Sequence, residues 1–127
     1  MVGSEMNRAL WIIQVLLALV FLFAGGAKLV MSVAEMNAGS PMPLPGPFLR
    51  FIGAAEIAGA LGLILPGALR IRPGLTPLAA AGLTIVMIGA TVITVMTMSA
   101  SMALLPFTVG VLAVVVAYTR WRLHPLA

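Results

Sequence analysis

Four runs in this chain are each long and apolar enough to cross a lipid bilayer as a helix. They are "ALWIIQVLLALVFLFAGGAKLVM" (Ala9–Met31), "FLRFIGAAEIAGALGLIL" (Phe48–Leu65), "LTPLAAAGLTIVMIGATVITVMTM" (Leu75–Met98) and "ALLPFTVGVLAVVVAYTRW" (Ala103–Trp121). A spanning helix needs about 20 predominantly apolar residues. The runs are continuous, whereas barrel strands would be short and alternating, so helices are favoured. Of the 127 residues, 62% are hydrophobic and 8% charged. A soluble domain carries about a quarter charged residues, and a chain this short cannot hide so much apolar surface inside itself. The expected fold is all-α: one integral membrane four-helix bundle over residues 1–127, with helices at about 9–36, 48–65, 75–98 and 103–121.

The connections are legible too. "NAGSPMPLPGP" (Asn37–Pro47) is rich in Pro and Gly and cannot continue a helix. "PGALRIRPG" (Pro66–Gly74) is a tight turn with two arginines, and "SASM" joins the last two spans without charge. Arg8, the Arg70/Arg72 pair and the Arg120/Arg122/His124 tail all fall on one side of an alternating bundle. Basic residues mark the cytoplasmic side, so both termini are expected in the cytoplasm. Trp11, Tyr118 and Trp121 sit near the ends on that side, where interfacial aromatics concentrate. The first run is too long for a signal h-region and is expected to be retained. The expected location is the bacterial cytoplasmic membrane.

Several functions are disfavoured. The net charge is +4, but the seven basic residues are spread along the chain and flank apolar runs, unlike a clustered nucleic-acid footprint. There is no cysteine, so thiolate chemistry within the chain is excluded. Asp is absent and His124 is the one histidine, which leaves no metal or haem ligand set. No nucleotide or flavin glycine loop is present. The cofactor, if any, is not readable. The methionines read as packing and Gln14 as a cross-helix hydrogen bond. The hydroxyls of Thr84, Thr91, Thr94 and Thr97 read as bonded to their own helix carbonyls.

The residue that most needs explaining is Glu56, eight residues into the second run and about 12 Å below its start. A lone carboxylate at that depth costs several kcal/mol or takes up a proton, so a partner is expected. If the first helix runs on to Met36, Lys28 lies at the same distance from the connecting loop, and antiparallel helices bring the two level. The same construction pairs Glu35 with Arg50 near the rim. Gly25 and Gly26 lie beside Lys28, and Gly53 and Gly59 flank Glu56 on its helix face. Ala55 and Gly59 add a small-xxx-small spacing that lets backbones approach. Two readings stay open. The pair either marks a ligand or proton site, or only fixes helix register. If the first helix ends at Met31, snorkelling of Lys28 to the outer headgroups competes with the pairing.

"FLFAGGAKL", then a Pro-rich loop, then "FIGAAEIAGALGLILPG" and "LTPLAAAGL", resembles the DoxX-like family of small membrane proteins. The likeness runs from about Trp11 to Arg122. It is most specific at "FxxxGxxKL" and "IGxxEIxGALGLxLP", whose charged positions are Lys28 and Glu56. The resemblance implies a four-helix bundle. It also implies kinship with a thiosulfate:quinone oxidoreductase subunit, with folding and trafficking factors for membrane clients, with a sterol isomerase and with parts of thiol-redox complexes. Without cysteine, a thiol role would have to come from a partner.

Three functions follow as expectations. The first is an accessory or binding subunit that holds a quinone, isoprenoid or lipid, with Lys28, Glu56, Glu35, Arg50 and Gly53 as ligand-binding residues. The second is a small enzyme, an isomerase or a quinone-linked oxidoreductase component, using Glu56 as acid/base and Lys28 to tune it. The third is a structural or assembly factor. The expected partners are the bilayer, a hydrophobic small molecule, and copies of the chain or a larger membrane complex. Nucleic acid is not among them.

Overall fold

The computed structural model describes residues 2–38, 43–72, 74–97 and 100–123. His124 and the first residue of the "SASM" turn lie outside them. The elements are α1 (Val2–Val30), α2 (Val33–Asn37), α3 (Gly46–Ala68), α4 (Leu75–Thr97) and α5 (Leu104–Tyr118). A π-helical turn, Thr119–Leu123, continues α5. Four helices are long and apolar enough to cross a membrane, and no strand occurs among the described residues. The chain is an integral membrane protein.

One expected element differs. The first helix starts at Val2, earlier than Ala9, and stops at Val30 instead of reaching Met36. The cause is Ser32, whose extended backbone (φ −69°, ψ 151°) begins the separate helix α2. Its hydroxyl accepts from the Glu35 N–H, and the Glu35 carboxylate accepts from the Ser32 N–H. This reciprocal capping box fixes a helix start and excludes a continuous helix through it. At the other end, α5 stops at Tyr118 and widens into the π turn instead of remaining α-helical to Trp121.

The long helices pack in a ring: α1 against α3, α3 against α4, α4 against α5, and α5 back against α1. Leu17, Phe21, Leu63, Leu83 and Val116 fill the centre. The outward surface is apolar as well, with Phe23 82% and Leu105 73% exposed. Among the described residues, the fully buried polar side chains are Gln14, Glu56, Thr76 and Arg120. Apolar outside and polar within is the arrangement a hydrocarbon solvent selects, because a polar group facing lipid has no partner.

One such group comes from a proline. Pro66 lies inside α3 and has no N–H, which would leave the Gly62 carbonyl, four residues earlier, without its helical donor. The Thr76 hydroxyl of α4 donates to that carbonyl at 2.9 Å. Beside it, the Gln14 amide of α1 donates to the Leu63 carbonyl at 2.6 Å. The Thr76 and Gln14 bonds thus tie α4 and α1 to adjacent carbonyls of α3, at the end of the bundle that carries both ends of the described chain.

Past Pro66, α3 closes with Arg70 at the left-handed position (φ 55°). The Ile71 N–H reaches the Pro66 carbonyl at 2.9 Å and the Arg70 N–H reaches the Gly67 carbonyl at 3.3 Å. These are the two bonds of a Schellman ending, where glycine is the usual residue.

Candidate functional site

Lys28 and Glu56 meet where α1 and α3 cross. The crossing is close because both faces are glycine. A methyl group on Gly25 would lie 2.6 Å from the Gly53 carbonyl oxygen, and one on Gly53 would lie 2.9 Å from the Gly25 carbonyl oxygen. No side chain fits in that space without moving a backbone. Lys28, one turn beyond Gly25, and Glu56, one turn beyond Gly53, are thereby brought together. Lys28 Nζ lies 2.9 Å from Glu56 Oε1. The expected pairing therefore forms although α1 ends early. The glycine crossing sets its depth, and the length of helix beyond Lys28 does not.

The two partners differ in exposure: the Glu56 side chain is 2% exposed and that of Lys28 30%. Oε1 makes no well-aligned hydrogen bond, so the contact is chiefly Coulombic. At low dielectric such a contact is strong, and its desolvation cost is large as well.

Both side chains line a cavity of about 420 Å³ between α3 and α4. Its other walls are apolar apart from Thr94 and include Phe48, Ile52, Ile85, Ala90 and Ile93. Leu44 joins them from the Pro-rich loop. It is pinned there because Asn37 exchanges two hydrogen bonds with its backbone, at 2.9 and 3.0 Å. Apolar walls with a few converging polar groups are the usual construction of a small-molecule site.

The remaining candidates take other places. Gly53 is the floor of the helix crossing. Arg50 does not meet Glu35: its guanidinium donates to the Lys28 and Met31 carbonyls, at 2.6 and 2.7 Å, and caps the end of α1. Glu35 is exposed in the capping box of α2, where the Ser32 hydroxyl and then its N–H hold the carboxyl below the usual carboxylate range. Gly26 touches nothing within 4 Å of an added methyl, and Gly59 faces Leu83 of α4 instead of α1. The hydroxyls of Thr84, Thr91 and Thr94 bond their own helix carbonyls, as expected.

A second polar cluster went unread in the sequence. Arg120 stands among the flanking charges there, yet it is 1% exposed. Its Nε donates to Gln14 Oε1 at 2.7 Å and its Nη1 to Asn7 Oδ1 at 2.9 Å. Its guanidinium also lies 5.9 Å from the centre of the Trp11 ring. Asn7, Trp11 and Gln14 follow an i, i+4, i+7 spacing and so share one face of α1. That periodicity was the available signal.

Comparison with known proteins gives one family. The model of the DoxX-like family matches residues 12–117. No curated protein and no solved structure matches the chain.

Proposed function

The chain belongs to the DoxX-like family, and on that premise we propose that it holds a hydrophobic small molecule with a compact polar head in the cavity between α3 and α4. One observation carries the reading: an ion pair with a buried carboxylate forms part of the wall of a mostly apolar cavity. A pair that only fixed register would have no need of a cavity beside it. Lys28, the more exposed partner, is the donor for a carbonyl, hydroxyl or phosphate oxygen of the ligand, and the apolar walls take its tail. Quinones, isoprenoids and lipids share that chemistry. Lys28 and Glu56 lie toward the end of the bundle opposite the arginine-rich one. The positive-inside rule therefore favours termini in the cytoplasm and a site nearer the outer leaflet.

Mass spectrometry of the organic extract of purified protein tests this. Gly89→Phe supplies the contrast, because Gly89 lines the cavity, is remote from the ion pair in sequence and has open space around it. An apolar molecule near one per chain in the wild type, lost in Gly89→Phe, supports the proposal. Equal extracts from both proteins reject it.

The acid/base reading rests on the same cavity. That reading has Glu56, which lines the cavity beside Lys28, exchange the proton. It requires that Glu56→Gln retain the fold and the ligand but lose turnover.

A further inference from the structure

A second groove lies between α4 and α5 at the end that carries Asn7 and Arg120. Its volume is about 610 Å³, and its walls include Gly74, Leu78, Ile85, Val114, Tyr118 and Trp121. From Gly74 to Ile85 it runs about 16 Å at 1.5 Å per residue. That is close to the hydrocarbon depth of one leaflet, half of about 30 Å. At its rim, the Arg122 guanidinium lies 5.6 Å from the centre of the Trp121 ring.

This end is strongly basic. Among the described residues, Arg8, Arg70, Arg72 and Arg122 are exposed there, against one exposed acid, Glu5. Two of these arginines stand where arginine is costly. Arg70 (φ 55°) and Arg72 (φ 34°) both have left-handed backbone, a conformation glycine adopts without steric cost. Gly74, two residues on from Arg72, forms part of the groove wall. Residues kept in a strained conformation against an easier alternative point to use of the side chain.

We propose that this groove binds an anionic phospholipid, with an acyl chain along α4 and α5 and the phosphate among Arg70, Arg72 and Arg122. Charge complementarity, the one-leaflet length and the aromatic–arginine rim all fit that occupant. Basic residues beside an interhelical groove are a recognised arrangement for acidic headgroups. The groove shares Ile85 with the Lys28–Glu56 cavity but extends toward the other end of the bundle.

Native mass spectrometry of the delipidated full chain tests the proposal, with dioleoyl phosphatidylglycerol compared against dioleoyl phosphatidylcholine. The wild type should bind the anionic phosphatidylglycerol at least fivefold more tightly. Each arginine removed should lower that preference about fivefold, in Arg122→Gln and in the double variant Arg70→Gly/Arg72→Gly. The glycine variant relieves the backbone, so its thermal midpoint should equal or exceed that of the wild type. Should it fail to fold, Arg122→Gln alone decides the matter. Equal binding of the two lipids to the wild type overturns the proposal. So does an unchanged preference in the folded variants, which would leave the arginines as topology signals only.

Discussion

Lys28 Nζ and Glu56 Oε1 are 2.9 Å apart, joined across a helix crossing that only glycine permits. Breaking such a pair from one side leaves a buried charge. Lys28→Met should therefore destabilise the bundle by about 3–5 kcal/mol, and Lys28→Met/Glu56→Leu should recover most of that loss. Thermal or denaturant unfolding in detergent measures both. A double variant as unstable as the single would show that the pair acts through more than charge.

The crossing itself makes a second prediction. Gly25→Ala sets a methyl group 2.6 Å from a backbone carbonyl, and overpacking of this kind costs about 1–3 kcal/mol. Gly26→Ala, with open space, should be neutral or gain up to about 1 kcal/mol from helix propensity. Equal effects at the two adjacent glycines would contradict the close approach of α1 and α3.

Pro66 and Thr76 should be coupled. Thr76→Val removes the donor to the Gly62 carbonyl, and an unsatisfied buried acceptor costs about 1–3 kcal/mol. In a Pro66→Ala background the restored N–H can take that carbonyl, so the same substitution should cost close to nothing. A double-mutant cycle measures the difference, and strict additivity would refute the link.

The Arg120 cluster closes the ring between α1 and α5. Gln14→Leu removes a hydrogen bond to a buried cation and the donor to the Leu63 carbonyl, a loss of at least about 1.5–3 kcal/mol. Gln14→Leu/Arg120→Met should be more stable than Gln14→Leu alone, because no buried cation then lacks its acceptor. Unfolding midpoints in detergent give the order of the two variants.

The four spans and their connections were legible because hydrocarbon imposes long apolar runs, and such runs survive in a single sequence. The Lys28–Glu56 contact was legible as well, since two deep charges in adjacent antiparallel helices have few other partners. The break at Ser32 was also written in the chain, as Ser32-x-x-Glu35, but apolar neighbours on both sides masked it. Arg120 was harder. A basic residue at the end of a span has the same sequence signature whether it reaches the headgroups or turns inward. Only the approach of Asn7, Trp11 and Gln14 from another helix decides it. The position and walls of the cavity were not legible, because they depend on how far α3 and α4 stand apart and on where Asn37 pins Leu44.

The most direct test of the ligand site compares organic extracts of the wild type and of Lys28→Met/Glu56→Leu, both shown to be folded by their unfolding midpoints. The site predicts an apolar molecule with a polar head near one per chain in the wild type and its loss from the double variant. The same molecule at the same level in both proteins would contradict it and leave the pair with register alone.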